Sequence, residues 1–194
     1  MSTSDHVEVV ATALWRRVDE PGHDACRLER LADGWRLRGS AAFREEGDLH
    51  ALAYEVECDD AWRARRGSVR GWRGAHGVDL VAERTPRGSW TLGGAEVPEV
   101  AACVDLDFGI TPATNLQQLR RMSLAVGERA EITVAWLDGS RGEMVALPQR
   151  YERRSEHEYW YESPQGGYEA VLELAPSGFV RHYPGLWVME DGSG

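Results

Sequence analysis

Residues 105–124 read DLDFGITPATNLQQLRRMSL, and the fold turns on how this run is parsed. Val104, Leu106 and Phe108 alternate with Asp105 and Asp107, so an extended backbone places the apolar trio on one face and both carboxylates on the other. Gly109 loosens the strand. Pro112 fixes its own φ and pushes Thr111 out of the helical region, which makes a turn. Thr114 and Gln117 have the spacing of a capping box, in which each side chain bonds the other's backbone N–H, so a helix is expected to start there. Leu116, Leu119, Met122 and Ser123 form its core side, while Gln117, Arg121 and, at the margin, Arg120 face elsewhere. This is the single good helix of the chain.

On both sides of it the sequence repeats with a period of two. Ahead of it, 9–18 reads as a strand with Ala11, Ala13 and Trp15 on one face, and the EPGHD segment at 20–24 as a loop. A strand over 26–31 meets the hairpin signal Asp33-Gly34, after which Trp35 and Leu37 oppose Arg36 and Arg38. Residues 39–47 fit neither pattern. Leu52, Tyr54, Val56 and Cys58 then alternate with Ala51, Ala53, Glu55 and Glu57. The most basic stretch, AWRARRGSVRGWRGA at 61–75, sets Trp62 and Ala64 against Arg63 and Arg65. Val78, Leu80 and Ala82 oppose Asp79, Val81 and Glu83 in 78–84, so positive and negative faces of adjacent strands are expected to pair. Residues 90–92, a Gly93-Gly94 turn and 97–100 lead into the central run. Beyond the helix come strands at 131–137 and 144–154, with an Asp138-Gly139 turn between them. The aromatic strand Tyr159-Trp160-Tyr161 follows, then 168–174, a turn at 176–178 and the stretch 179–188. Strands joined without helices imply a mainly β fold: a large curved antiparallel sheet or half-barrel wrapped around one or a few short helices.

With 194 residues and no Pro/Ser-rich linker, the chain reads as one domain over 9–190 behind a flexible end at 1–8. Apolar residues at 42% and charged residues at 28% place it among soluble globular proteins, and no run approaches a membrane span, so stable membrane insertion is not expected. MSTSDHVEVV lacks a basic region followed by an apolar core, which gives a cytoplasmic expectation. Cys26, Cys58 and Cys103 are odd in number and far apart, the pattern of reduced, mostly buried thiols rather than of disulfides or a zinc site. A net charge of −10 disfavours nucleic acid as a partner, and against it the Trp/Arg stretch at 61–75 reads as a strand with a solvated Arg face. All 22 basic residues are Arg, the better fork for phosphate and carboxylate, though GC-rich codon usage gives the same bias without function. Composition and pattern are silent on oligomeric state.

Motifs with built-in chemistry are absent: there is no nucleophile elbow, P-loop, GxGxxG or HExxH, and the six histidines stand singly. No metal or cofactor is indicated. Asp105 and Asp107, two residues apart on one strand face, are the catalytic candidates. Arg120 and Arg121 stand close enough in sequence to neutralise them in a structural ion-pair network, and both readings stay open. Eight Trp and six Tyr against three Phe supply rings with a polar handle, suited to a cavity for an amphipathic ligand or to plain packing.

The segments TPATNLQQLRRMSL, VALPQRYERR, YWYES and SGFVRHYPGLW together resemble the bacterial family labelled "putative glycolipid-binding", formerly a domain of unknown function. The positions that carry the resemblance are Thr111, Pro112, Thr114, Asn115, Arg120, Arg121, Gln149, Tyr151, Tyr159, Tyr161, Gly178, Val180, Tyr183 and Pro184. Gln117-Gln118 depart from the more apolar, Pro-containing sequence expected there. The resemblance implies an antiparallel sheet curved around helical elements, similar to periplasmic lipoprotein carriers and mycobacterial glycolipid-binding lipoproteins, and it brings no catalytic residues. The resulting expectation is a binding module whose concave sheet face holds a lipid or glycolipid. Asn115, Arg120, Arg121 and Gln149 would take the polar head, and rings that include Tyr151, Tyr159, Tyr161 and Tyr183 would stack on sugar or line an acyl channel. The alternatives are an enzyme of glycolipid or sugar metabolism using Asp105 and Asp107, and a protein-interaction scaffold without a pocket.

Overall fold

A computed structural model describes residues 7–138, 141–190 and 192. Residues 1–6 of the flexible end expected at 1–8, and Gly139 of the expected turn, lie outside the described residues, while Glu8 already begins the first strand. The first eight strands are β1 (Glu8–Arg17), β2 (Gly22–Leu31), β3 (Gly34–Glu45), β4 (Asp48–Cys58), β5 (Ala64–Arg73), β6 (His76–Arg84), β7 (Trp90–Leu92) and β8 (Ala95–Glu96). A 3-10 turn at Pro98–Val100 leads to β9 (Leu106–Phe108) and α1 (Asn115–Met122). Then come β10 (Arg129–Asp138), β11 (Glu143–Arg153), β12 (Glu158–Ser163), β13 (Tyr168–Leu174), β14 (Val180–Tyr183) and β15 (Trp187–Met189).

All these strands join one curved sheet, not closed into a barrel, in the order 8-7-6-5-4-3-2-1-15-14-13-12-11-10-9. Neighbours are antiparallel except β9, which lies parallel to β10 with Leu106 opposite Ala135. Two meanders, β1–β8 and β9–β15, thus meet where Trp15 of β1 stands opposite Met189 of β15. Alternation sets which face is buried: Ala11, Ala13 and Trp15 on β1, and Leu52, Tyr54, Val56 and Cys58 on β4. The outer faces of β5 and β6 pair as expected, Arg66 with Glu83 at 3.1 Å and Arg70 with Asp79 at 2.9 Å. All three cysteines are free and buried. No helix among the described residues is long and apolar enough to cross a membrane.

Two contacts fasten the meanders together. The Trp15 indole, fully buried, donates to Val180 O at 2.7 Å and sets its edge on Phe179 with ring centroids 5.4 Å apart. At Gly67 the first meander comes so close to β9 that a Cβ would stand 2.2 Å from Leu106 Cδ2 and 2.9 Å from Phe108 Cζ, so a side chain is excluded there.

Several expectations need correcting. The helix starts at the expected place, but no capping box forms. Thr114 has helical backbone angles (φ −68°, ψ −22°) and makes no side-chain cap. Its hydroxyl donates instead to Asp107 Oδ1 at 2.6 Å, and Gln117 Nε2 donates to Leu106 O at 2.7 Å. Because the helix start is buried against β9, the acceptors of that strand outcompete its own N–H groups. For the same reason the helix has no solvated side along its first turns, where Asn115–Leu119 are all buried, Gln117 and Gln118 completely. Ser123, assigned to the core side, is the exposed left-handed residue that ends the helix (φ 47°), its N–H on Leu119 O at 3.1 Å.

The other corrections concern strand limits. Gly22–Asp24, read as loop, begin β2, and Asp24 is buried. Residues 39–45, which fitted neither pattern, continue β3. Trp62 precedes β5 with φ 63° and stacks on Trp35 at 4.6 Å. The stretch 179–188 holds two strands, broken at Pro184–Leu186, where Leu186 N–H bonds Tyr183 O.

Candidate functional site

The chain from β9 through the Thr111-Pro112 turn into α1 forms one wall of a cavity of about 540 Å³. Asp107, Thr111, Asn115, Ser163 and Gln165 supply its polar lining. Trp136 of β10, Val145 and Leu147 of β11, and Leu186 and Trp187 at the far end of the second meander supply apolar wall, with Tyr161, Tyr168 and Tyr183 between. Those three rings form one cluster, 5.9 Å between Tyr161 and Tyr183 and 5.2 Å between Tyr168 and Tyr183, with Tyr151 4.9 Å behind Tyr161. The cavity is therefore amphipathic: a ring-lined apolar body ending on a carboxyl and an amide, the make-up of a small-molecule site.

The two candidate carboxylates have opposite surroundings. Asp105 is held by a bidentate fork from Arg121, 2.6 Å and 2.7 Å, and does not line the cavity. Asp107 reaches the cavity and has only neutral partners: Thr114 Oγ1 on Oδ1 and Gln149 Nε2 at 2.8 Å on Oδ2. Burial raises the pKa of both carboxyls, opposed at Asp105 chiefly by the Arg121 guanidinium and at Asp107 by its hydrogen bonds to Thr114 and Gln149. Asp105 and Asp107 are therefore unmatched in their surroundings.

Behind Asp107 runs a buried polar relay. Gln149 Oε1 lies 3.0 Å from the Tyr151 hydroxyl, Gln118 Oε1 lies 3.2 Å from the same hydroxyl, and Asn115 Nδ2 donates to it at 3.1 Å. This fixes the Asn115 amide so that its Oδ1, which bonds no protein atom among the described residues, belongs to a residue lining the cavity. Burial raises the Tyr151, Tyr161 and Tyr183 phenols, so all three are neutral donors at physiological pH.

The residues expected to bind one ligand, together with the two carboxylates of the enzyme alternative, thus fall into three groups. Asp107, Asn115, Tyr161 and Tyr183 line the large cavity. Asp105, Arg121, Gln149 and Tyr151 are buried or half-buried, engaged with one another's neighbours, and line neither cavity discussed here. Arg120 and Tyr159 lie on a second cavity of about 430 Å³, flanking the other side of α1 with Leu116 and Leu119. Not anticipated were Thr111, Trp136, Tyr168 and Trp187, which came from strands or motifs already recognised, and Asp24, hidden by a turn-like sequence. Asp24 is buried in the first meander, accepts from the Tyr54 hydroxyl at 2.9 Å, and bonds Thr111, a cavity residue. Burial pushes its pKa up to about 7. No group of three or more His, Cys, Asp or Glu side chains placed to hold a metal occurs among the described residues.

A family model described as "Putative glycolipid-binding" matches residues 12–188. Among solved structures, the chain is similar to a DUF1089 family protein from Pseudomonas aeruginosa, with 29% identity and a TM-score of 0.76 over 86% of this chain and 91% of that one. No curated protein matches it.

Proposed function

The chain belongs to the family described as "Putative glycolipid-binding", and from that premise we propose that the 540 Å³ cavity holds an amphipathic lipid or glycolipid. The observation that carries the reading is the cavity's division into an apolar, ring-lined body and an end where Asn115 Oδ1 and Asp107 stand with no cation beside them. Hydroxyl groups of a sugar or glycerol head suit that end, because each donates to a fixed acceptor without a charge to displace. Trp136, Leu147 and Leu186 suit the acyl portion, whose transfer from water supplies the affinity. The reading includes an intracellular setting, which three free buried thiols support.

Native mass spectrometry of the purified protein, followed by organic extraction, tests it. A lipid or glycolipid in stoichiometric amount is expected, and the cavity-filling substitution Leu147→Trp is expected to abolish its carry-over. An apo mass that persists after incubation with a lipid extract overturns the reading. One observation favours a second reading, an enzyme of glycolipid or sugar metabolism: Asp107 is a buried carboxyl with raised pKa facing the cavity, the setting of a general acid. Asp107→Asn separates the two, since a binding role survives the near-isosteric change and proton transfer does not.

A further inference from the structure

The second cavity differs in kind from the first. It is bounded by the second half of α1, by Arg153 at the end of β11, by Tyr159 of β12, and by the turn at Pro176–Gly178. In a chain of net charge −10, where most arginines described are paired with carboxylates, Arg120 and Arg153 make no ion pair among the described residues, and both open onto this one space. Each is held by neutral oxygens instead. Arg120 Nη2 donates to Ser177 O at 2.8 Å; Arg153 donates to Leu124 O at 2.8 Å and to Ser155 O and Glu156 O at 3.2 Å. Carbonyl partners fix a guanidinium without cancelling its charge. The only carboxylate on the rim, Glu156, has its side chain 82% exposed and points its charge to water near His157.

Tyr159 completes the set. It is 4% exposed, its ring lies under the Arg153 guanidinium at 5.7 Å, and its hydroxyl bonds no protein atom among the described residues. Both guanidiniums lie near enough to the phenol to oppose the effect of its burial. Room for Arg120 is kept by Gly178 (φ 90°), where a Cβ would meet Arg120 Nη2 and Leu116 Cδ1 at 3.0 Å each. An unbonded hydroxyl on a buried ring and two uncancelled guanidiniums at one cavity lack only an acceptor with matching charge.

We infer that this cavity is a second, separate binding site for a phosphate monoester group, held by Arg120, Arg153 and the Tyr159 hydroxyl. Two guanidiniums balance the near-double negative charge such a group carries at neutral pH, and the phenol donates to a third oxygen. The site does not depend on lipid capture in the larger cavity.

Calorimetric titration of the full chain with inorganic phosphate, and separately with dihexanoyl phosphatidic acid below its micelle concentration, tests the assignment. Saturable binding that weakens with added salt is expected. Arg120→Gln and Tyr159→Phe are each expected to weaken it about tenfold or more, the usual scale for a lost charge-assisted bond. Tyr159→Phe removes a hydroxyl that bonds no protein atom among the described residues, so its thermal midpoint should match the parent protein and folding cannot account for the loss. Phosphatidic acid binding at least tenfold tighter than phosphate identifies a lipid headgroup as the source, and equal affinities identify a free phosphate. No saturable binding of either probe at millimolar concentration, or unchanged affinity in both variants, overturns the inference. Leu147→Trp should leave phosphate binding untouched, so loss of lipid in the first cavity and loss of phosphate in the second are read apart.

Discussion

The two halves of the sheet are both built mainly of antiparallel neighbours and differ in what they turn inward. Strands β1–β6 run 9 to 12 residues, bury mainly apolar and small side chains with Asp24, Glu29 and His50 among them, and carry most of their other charges outside, as in the Arg–carboxylate pairs of β5 and β6. Strands β9–β15, several of them only 3 or 4 residues long, bury Asp107, Gln149, Tyr151 and Tyr161 together with the amides of α1. Burying polar groups is costly unless they are bonded, so the second half, which buries more of them together, is woven by a denser buried hydrogen-bond network than the first. The contrast bears on the first cavity, whose lining residues all come from the second half.

The largest test of that division removes what joins the halves. Trp15→Ala deletes a fully buried ring and its bond to Val180 O, and should cost about 3–5 kcal/mol on the scale of buried aromatic truncations. Denaturant unfolding followed by fluorescence and by circular dichroism should show one transition moved to lower denaturant. Two transitions would mean that the meanders are separate cooperative units and that the comparison is between two folding units rather than two faces of one.

Next in size is Arg121→Gln, which leaves Asp105 buried without its cation and should destabilise by about 3 kcal/mol. Adding Asp105→Asn should recover most of that loss, because the unpaired charge is then gone as well. If the double variant is no better than the single, the pair positions β9 rather than merely neutralising itself.

The first half also buries Asp24, Glu29 and His50, and of these Asp24 sharpens the contrast through pH. Its folded pKa of about 7 stands above the ordinary 3.8, so the folded state holds a proton that the unfolded chain has released. The stability from this group is therefore complete below pH 3.8 and is lost as pH rises toward 7, with a slope of roughly 1.4 kcal/mol per unit at the steepest. Asp105 and Asp107 shift in the same direction, so Asp24→Asn should flatten the profile without levelling it. Thermal midpoints measured between pH 4 and 8 check this, and an unchanged slope would show that Tyr54 and Thr111 keep Asp24 ionised.

How much of this could be read from the sequence also divides along the two halves. Alternation at Leu52, Tyr54, Val56 and Cys58 reports a strand with one wet face, because side-chain direction is a local property of the chain. The start of α1 was legible for the same reason, but the partners of Thr114 and Gln117 were not: those depend on β9 lying across the helix start, a contact made in space. Asp24 was hidden by Pro21-Gly22, turn residues that here sit at the mouth of a strand. The placement of Asn115 and Arg120 on different cavities follows from a helix passing between them, and five residues of sequence spacing cannot show what lies on either side.

The smallest expected effect belongs to the outer face of the first half. Arg70 and Asp79 pair across β5 and β6 at 2.9 Å, with side chains 57% and 73% exposed. Water already solvates both groups, and holding two long side chains in register costs entropy, so Arg70→Ala and Asp79→Ala, singly or together, should move stability by less than about 0.5 kcal/mol. A double-mutant cycle in low and in high salt measures the coupling directly. A coupling well above that, surviving high salt, would mean that the Arg–carboxylate ladder sets strand register in the first half, and that this half too is held by its polar groups, only on the opposite face.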